Sequence, residues 1–544
     1  MEEQQTVFGL EPIPVQPSQS LPESNPSSKP IFGRKLGKRN SAAFGGVGGN
    51  PKLRLINRNK IIVKQIDVER MLECGHPARA MWDLMGKVDL GLFHNAIRSQ
   101  EGEKGRPSND PRMLISVWLY AYSIGVSAGR EIERQMEYEP GLMWLCGGDA
   151  VNHHTLSDFR VDHKEALDEL FQQWLAVLYG EGLIDLSQVM HDGTKVRANA
   201  GVDTFRRKKT IEERLALAKQ LLEQMGDPRE DNQQARTRKQ AAEQRAAREL
   251  EEKTDAALEE WKRISKDKTA AVAERVRVSV VEPEAHKMKH GDNAILPSYN
   301  VQLSTESSNK IIVGMHLSQS SADAQSLVTA VDVIEENTGR CPDQMVIDGG
   351  FTSKENIAAM DERGIDLIGS LPDLEKKRTA GAVAAGIEPA FGVQFFIFEE
   401  QTNTLKCPAG KALGYKSKNT KRGNKYQVYR AQGSDCQSCE FQKQCCPKNP
   451  EKGRGVAMLV QEDPIIANFH RKMESEEAKR IYKKRGPVAE FPNAWIKDKI
   501  KLRKYRLRGL VKAGIETMWA CLAYNIKQWI RLCWRKRQTL ACAA

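Results

Sequence analysis

The sequence predicts a mixed α/β protein, a sheet of parallel and antiparallel strands flanked by helices. Three observations predict it. Residues 298–305 (SYNVQLST) and 310–318 (KIIVGMHLS) carry the two-residue period of strands, and the ESSN between them makes the pair a β-hairpin. Residues 344–347 and 366–370 are short apolar runs of strand length. Residues 322–336 and 353–363 carry apolar side chains at helical spacing instead. With a further strand within residues 183–200, ending in VMHDGTKVRANA, the order is strand, hairpin, helix, strand, helix, strand. That order builds a mixed sheet with helices against it.

The other elements follow along the chain. Residues 1–55 form a basic tail rich in Pro, Ser and Gly that buries too little apolar surface to offset its ordering entropy, so disorder is expected. Residues 56–182 read as helical. Asp110 followed by Pro111 is an N-cap with proline at the first helical position. Ser127 is expected to open a second helix, and Thr155 to Asp158 approximates a capping box. Short helices with tight turns suit either a helix-turn-helix-like DNA-binding domain or a plain bundle. Residues 183–204 begin the sheet. Residues 205–285 are rich in Glu, Lys, Arg, Ala and Gln with apolar residues at helical spacing, which predicts a helical hairpin broken at Gly226-Asp227-Pro228. Residues 286–378 continue the sheet, 379–473 form a Cys-rich insertion, and 474–544 end in a basic run and a C-terminal helix.

At 544 residues the chain is long enough for two to four structural units. Its formal charge of +12 favours a polyanionic partner, since Lys and Arg that neutralise phosphates release condensed counterions. The first residues lack the basic and apolar regions of a secretory signal. The longest apolar stretch, about residues 113–125, falls short of the roughly 20 residues of a membrane span. Eleven cysteines without an export signal read as reduced thiols or metal ligands, and the expected location is the cytoplasm, in association with the nucleoid.

Asp192 (HDGT) and Asp348 (IDGG) are each followed by glycine and are read as strand-end acids projecting into an open cleft. Two such carboxylates with a third acid are hard oxygen ligands of the kind that hold Mg²⁺ or Mn²⁺. A pair of ions there can stabilise both the attacking and the leaving oxygen of a phosphoryl transfer. Asp323, in the polar SSADAQ segment, reads as an N-cap and is left out of this site. His191, His153 and His154 read as cleft-rim or capping histidines.

The third acid comes from a resemblance. Tyr482, Arg485, Glu490 and Lys497 stand in the order Tyr-x2-Arg-x4-Glu-x6-Lys. This resembles the signature of bacterial insertion-sequence DDE transposases. The segments GRPSNDPRMLISVWLYAYSIG, HHTLSDFRVDH, HDGTKVRANA, SYNVQL, VIDGGFTSKEN and LKCPAGKAL with CQSCEFQKQC are also similar to that family, in the family's order, across about residues 58–525. The resemblance implies an RNase H-like core, metal-dependent DNA cleavage and strand transfer. By position it implies that Asp192, Asp348 and Glu490 are the metal ligands, and that Tyr482, Arg485 and Lys497 contact DNA ends. It further implies two Mg²⁺ or Mn²⁺ ions, terminal inverted repeats and target DNA as partners, and a homodimer that pairs two ends; from the short apolar stretches, no membrane partner is expected. Pro487 and Pro492 around Glu490 depart from a regular helix, which should start late or kink there.

Two further readings accompany these. Cys407, Cys436, Cys439 and Cys445 (or Cys446) have spacing like a zinc ribbon, with reduced thiols as the competing reading. The run Lys497, Lys499, Lys501, Arg503, Lys504, Arg506 and Arg508, directly after Glu490, reads as a track for the DNA backbone rather than a merely solvated face. Two rival functions remain at this level: a DNA-binding regulator without catalysis, and an RNase H-like nuclease that cuts without joining.

Overall fold

The computed structural model describes residues 65–97, 107–225, 238–370, 380–421, 424–461 and 463–538, together with Ile61, Val63 and Ser99. The whole of the expected N-terminal tail (1–55) and the expected break at residues 226–228 lie outside these residues. Ile66–Ala544 makes up one compact unit, which holds all the elements of the fold.

The central sheet comprises β1 (Gln188–Arg197), β2 (His286–Lys289), β3 (Ile295–Glu306), β4 (Ile312–Ser318), β5 (Gln344–Ile347) and β6 (Asp366–Gly369). β1 is antiparallel to β3, while β5 and β6 run parallel to β1 on its other side. The free edge of β3 carries β2 along residues 295–298 and β4 along residues 300–305. This mixed arrangement is consistent with the RNase H-like core that the resemblance implies. Met345, Val346 and Ile347 are fully buried, as a parallel strand covered on both faces requires.

Helices α1 (Pro77–Met85), α2 (Gly91–Asn95), α3 (Pro111–Ser123), α4 (Gly129–Gln135), α5 (Pro140–Leu145), α6 (His153–Asp162) and α7 (Lys164–Gly180) form the N-terminal part. Asp110 caps α3 as expected, accepting from Arg112 N–H at 2.8 Å. Two caps differ from expectation. The chain before α4 is extended at Ala128, so Ser127 lies outside the helix, where its hydroxyl accepts from Arg506. α6 starts earlier because Asn152 caps it, which leaves Thr155 to Asp158 inside the helix.

α8 (Lys208–Met225) and α9 (Arg238–Ser265) make the insertion, packed around Ile211 and Ala257 with Val278 and Val280 below. α10 (Leu327–Thr338) and α11 (Lys354–Glu362) are the expected helices between the later strands. The Cys-rich segment is a five-stranded antiparallel sheet of strands 397–399, 404–406, 412–421, 424–431 and 455–461. Only Leu405, Leu413, Tyr429 and a few neighbours form its small core, because most side chains along these strands are polar.

α12 (Pro464–Glu474), α13 (Glu476–Lys483), α14 (Arg485–Asp498) and α15 (Leu510–Trp529) complete the chain. α14 does not start late. The chain breaks at Lys484, so Pro487 falls in the first turn, where no intrahelical N–H is needed. Pro492 sits inside the helix and is buried. α15 joins the two ends of the chain: Trp519 packs on Trp118 and Tyr122, and Trp529 meets Trp174 edge-on at 5.3 Å. The fully buried Asn525 both donates to and accepts from the backbone of Ile312, fastening α15 to β4. One hydrophobic core thus runs from Leu72 to Trp534. Among the described residues, no helix is long and apolar enough to cross a membrane.

Candidate active site

Asp192 is the fifth residue of a ten-residue strand, not a strand-end acid. β1 continues through Thr194 and Val196 because both stay paired with β3. The Asp192 carboxylate accepts from Asn493 Nδ2 at 2.9 Å and lies 3.5 Å from a guanidinium nitrogen of Arg485. Burial raises its pKa, Arg485 pulls it down, and the neighbouring Asp348 raises it again.

Asp348 does follow its strand directly. Val346 pairs with Met190 in the parallel ladder, and extending that register sets Asp348 level with Asp192. The Gly350 N–H donates to its Oδ1 at 2.6 Å. Glu490 lies on the same stripe of α14 as Gly486, Asn493 and Lys497, at offsets of four, three and seven residues. Glu490 is exposed while Asn493, one turn on, reaches Asp192. The three acids of the expected site are therefore on adjoining elements, two on the sheet and one on the helix laid across it. Among the described residues, no three His, Cys, Asp or Glu side chains are already grouped to hold a metal ion.

The expected DNA-contact residues divide in two. Arg485 and Lys497 face into the site. The Arg485 side chain is only 14% exposed, and one of its terminal nitrogens is buried without a hydrogen-bond partner. Lys497 donates to Thr194 Oγ1, and burial pulls its pKa down, with Arg503 adding repulsion. Tyr482 is half-buried against the main core. Lys499, Lys501, Arg503 and Lys504 are exposed, in a segment laid against the end of β1. Arg197 N–H donates to Arg503 O, and Tyr505 N–H to Arg197 O. Behind this segment the buried Glu516 accepts the backbone N–H groups of Arg506 (3.0 Å) and Leu507 (3.2 Å).

Asp323, expected to be an N-cap, makes no capping bond. Its Oδ1 accepts from Asn300 Nδ2 at 2.7 Å and from Gln302 Nε2 at 3.4 Å. It faces two glycines of the site, one in β1 and one after Asp348: a Cβ at Gly193 would stand 2.9 Å from it, and one at Gly350 would stand 3.4 Å away. His191 is not at a cleft rim but fully buried, bonded to Ser304 and Gln302 at 2.9 Å each and packed edge-on against Phe351. The signal for this cluster stands in the sequence: Asn300, Gln302 and Ser304 alternate with Tyr299, Val301 and Leu303. A strand buried on both faces with one face polar must be satisfying polar partners. His153 bonds Glu133 at 2.6 Å, a tie between α6 and α4.

Cys407, Cys436, Cys439, Cys445 and Cys446 line one cavity of the Cys-rich sheet. Backbone N–H groups of Lys411 and Arg454 donate to the sulfurs of Cys407 and Cys436.

Compared with known families, residues 406–530 match a model described as Transposase DDE domain, and residues 67–162 match one described as Transposase domain (DUF772). The first span holds Glu490 and the basic segment, the second holds α1–α6, and Asp192 and Asp348 lie between the two. No curated protein and no solved structure matches the chain. The Tyr-Arg-Glu-Lys spacing draws no separate support from these matches, but two parts of the chain are similar to transposase domains, which supports the resemblance to insertion-sequence DDE transposases.

Proposed function

We propose that this chain is a transposase that cleaves phosphodiester bonds at transposon ends and joins the freed 3′-OH to target DNA, with Asp192, Asp348 and Glu490 as its metal-binding acids. The observation that carries this reading is the level placement of Asp192 and Asp348 on adjacent parallel strands, under the helix stripe that bears Glu490. The donor set fits Mg²⁺ or Mn²⁺. All three groups are hard oxygens, and the mutual repulsion of the two aspartates is what a divalent cation relieves. Such ions, when bound, activate water and stabilise the attacking and leaving oxygens.

The chain's own residues orient these acids. Asn493 fixes the rotamer of Asp192, the Gly350 N–H holds Asp348, and Arg485 offsets part of the Asp192 charge. The exposed basic segment from Lys499 to Lys504 would lie along the DNA backbone, with Glu516 holding its far end. The helical part before residue 182 would read the terminal inverted repeats, and a homodimer would pair two ends. We also propose a structural zinc on Cys407, Cys436, Cys439 and Cys445, supported by the one cavity that these thiols line, although among the described residues they are not already grouped as ligands. Stoichiometric zinc in the purified protein, lost in Cys436→Ser, tests that site.

The function is tested with DNA carrying the sequences that flank the gene. Cleavage at those ends should require Mg²⁺ or Mn²⁺ and disappear in Asp192→Ala, while DNA binding persists. Full cleavage by Asp192→Ala would overturn the reading.

A further inference from the structure

At the foot of the helical insertion, the C-terminal end of α9 and residues 275–287 enclose an open cavity of about 460 Å³. Lys268, Arg275, Arg277 and Lys287 line it, and Phe205 and Ile264 contribute apolar lining. Among the described residues, no Asp or Glu lines it and none of the four cations has a salt bridge. His286, also at the cavity, is already bonded to Glu260 at 2.6 Å. The Lys287 ammonium lies 4.7 Å over the Phe205 ring, and nearby Arg277 adds repulsion to it. Like charges gathered without a counter-ion raise the energy of the free protein unless a polyanion arrives to neutralise them.

The cavity connects to the active site through the sheet. Lys287 and Lys289 lie on β2, which pairs with the start of β3. Lys195 on β1 donates to Lys289 O at 3.1 Å. Lys195 is three residues past Asp192, about 10 Å along the strand. His290 sits amid Lys195, Arg197 and Lys497, whose repulsion adds to burial in lowering its pKa. Cations therefore line the way from the proposed cutting point to the foot of the insertion.

We infer that this cavity and its strip of lysines bind the phosphate backbone of the DNA duplex, several base pairs from the bond that is cut. The insertion would then be a second hold on the transposon end, separate from the basic segment at Lys499–Lys504. This rests on the reading of the chain as a DNA-cutting enzyme. Duplex DNA is favoured over a small anion because the charges are spread along an open surface rather than converging on one point.

The test uses the full chain and a triple variant, Lys268→Ala with Arg275→Ala and Arg277→Ala, all exposed and outside the catalytic machinery. Binding to a long duplex carrying the flanking sequence is measured against salt. Each lost phosphate contact should lower the slope of log K against log salt by about 0.9, which is roughly eightfold in affinity at 0.1 M salt. Cleavage of a duplex too short to reach the cavity should match that of the parent chain. A variant with lysine at positions 275 and 277 should keep the slope, which separates charge from a folding defect. An unchanged slope in the triple variant, or stronger competition by RNA than by duplex DNA, overturns the inference alone. A parent chain that binds no duplex overturns it together with the functional reading beneath it.

Discussion

Each proposed aspartate is followed by glycine, and the structure predicts that the two glycines respond oppositely to alanine. A Cβ at Gly193 would stand 2.7 Å from Gln302 Nε2, 2.9 Å from Asp323 Oδ1 and 3.2 Å from Asn300 Oδ1. These groups cannot withdraw cheaply. Gln302 is fully buried with its Oε1 on His191, and the Asn300 amide is tied to Asp323. Overpacking of this kind costs about 1–3 kcal/mol, and losing the hydrogen bond to the Asp323 carboxylate adds about 1.5–3 kcal/mol. The reduced entropy of the unfolded chain returns about 0.4–1 kcal/mol. Gly193→Ala should therefore destabilise by roughly 2–5 kcal/mol. A Cβ at Gly349 would meet only Ser370, at 3.5 Å or more, so Gly349→Ala should be neutral or slightly stabilising. Chemical denaturation of both variants measures the contrast. Equal stability for the two, or a stable Gly193→Ala, would refute the packing argument.

Three further outcomes are expected. Glu516→Ala leaves the N–H groups of Arg506 and Leu507 without their acceptor, costing about 2 kcal/mol or more; denaturation should show this, and DNA binding should weaken as the basic segment loosens. Burial holds the His191 pKa down at about 3 and the His316 pKa at about 4, so the unfolded chain takes up protons below about pH 6.5 that the folded chain refuses. Stability is then retained above that pH and falls by about 2 kcal/mol for each histidine between pH 7 and pH 5; a flat profile over that window would contradict this. Mn²⁺ at a hundredfold excess over its Kd should stabilise the chain against heat by about 2.7 kcal/mol, and Asp348→Asn should abolish most of that gain while leaving the metal-free protein folded.

The order of the strands is legible because hydrophobic period and length separate strands from helices over residues 295–370. Asp348 is legible as a strand-end acid, because the apolar run stops there and two glycines follow. Asp192 is not at the strand end that its glycine suggests, because the charged and polar residues after it, such as Lys195, look like a loop. They remain in the strand only through pairing with β3, which local sequence does not reveal. The roles of Asp323 and Asn493 are illegible for the same reason, since their partners lie 23 and 301 positions away. The proline at 487 suggests a late helix start, yet a break at Lys484 satisfies the same constraint one turn earlier. The sheet of the Cys-rich segment leaves little trace in the sequence because its strands bury few side chains.

The most direct measurement is a strand-transfer assay with pre-cleaved ends and a supercoiled target, comparing the parent chain with Glu490→Ala in Mg²⁺. The account predicts joined product from the parent and none from the variant, with DNA binding retained by both. Normal joining by Glu490→Ala would contradict it, and so would a parent chain that cuts ends but never joins them.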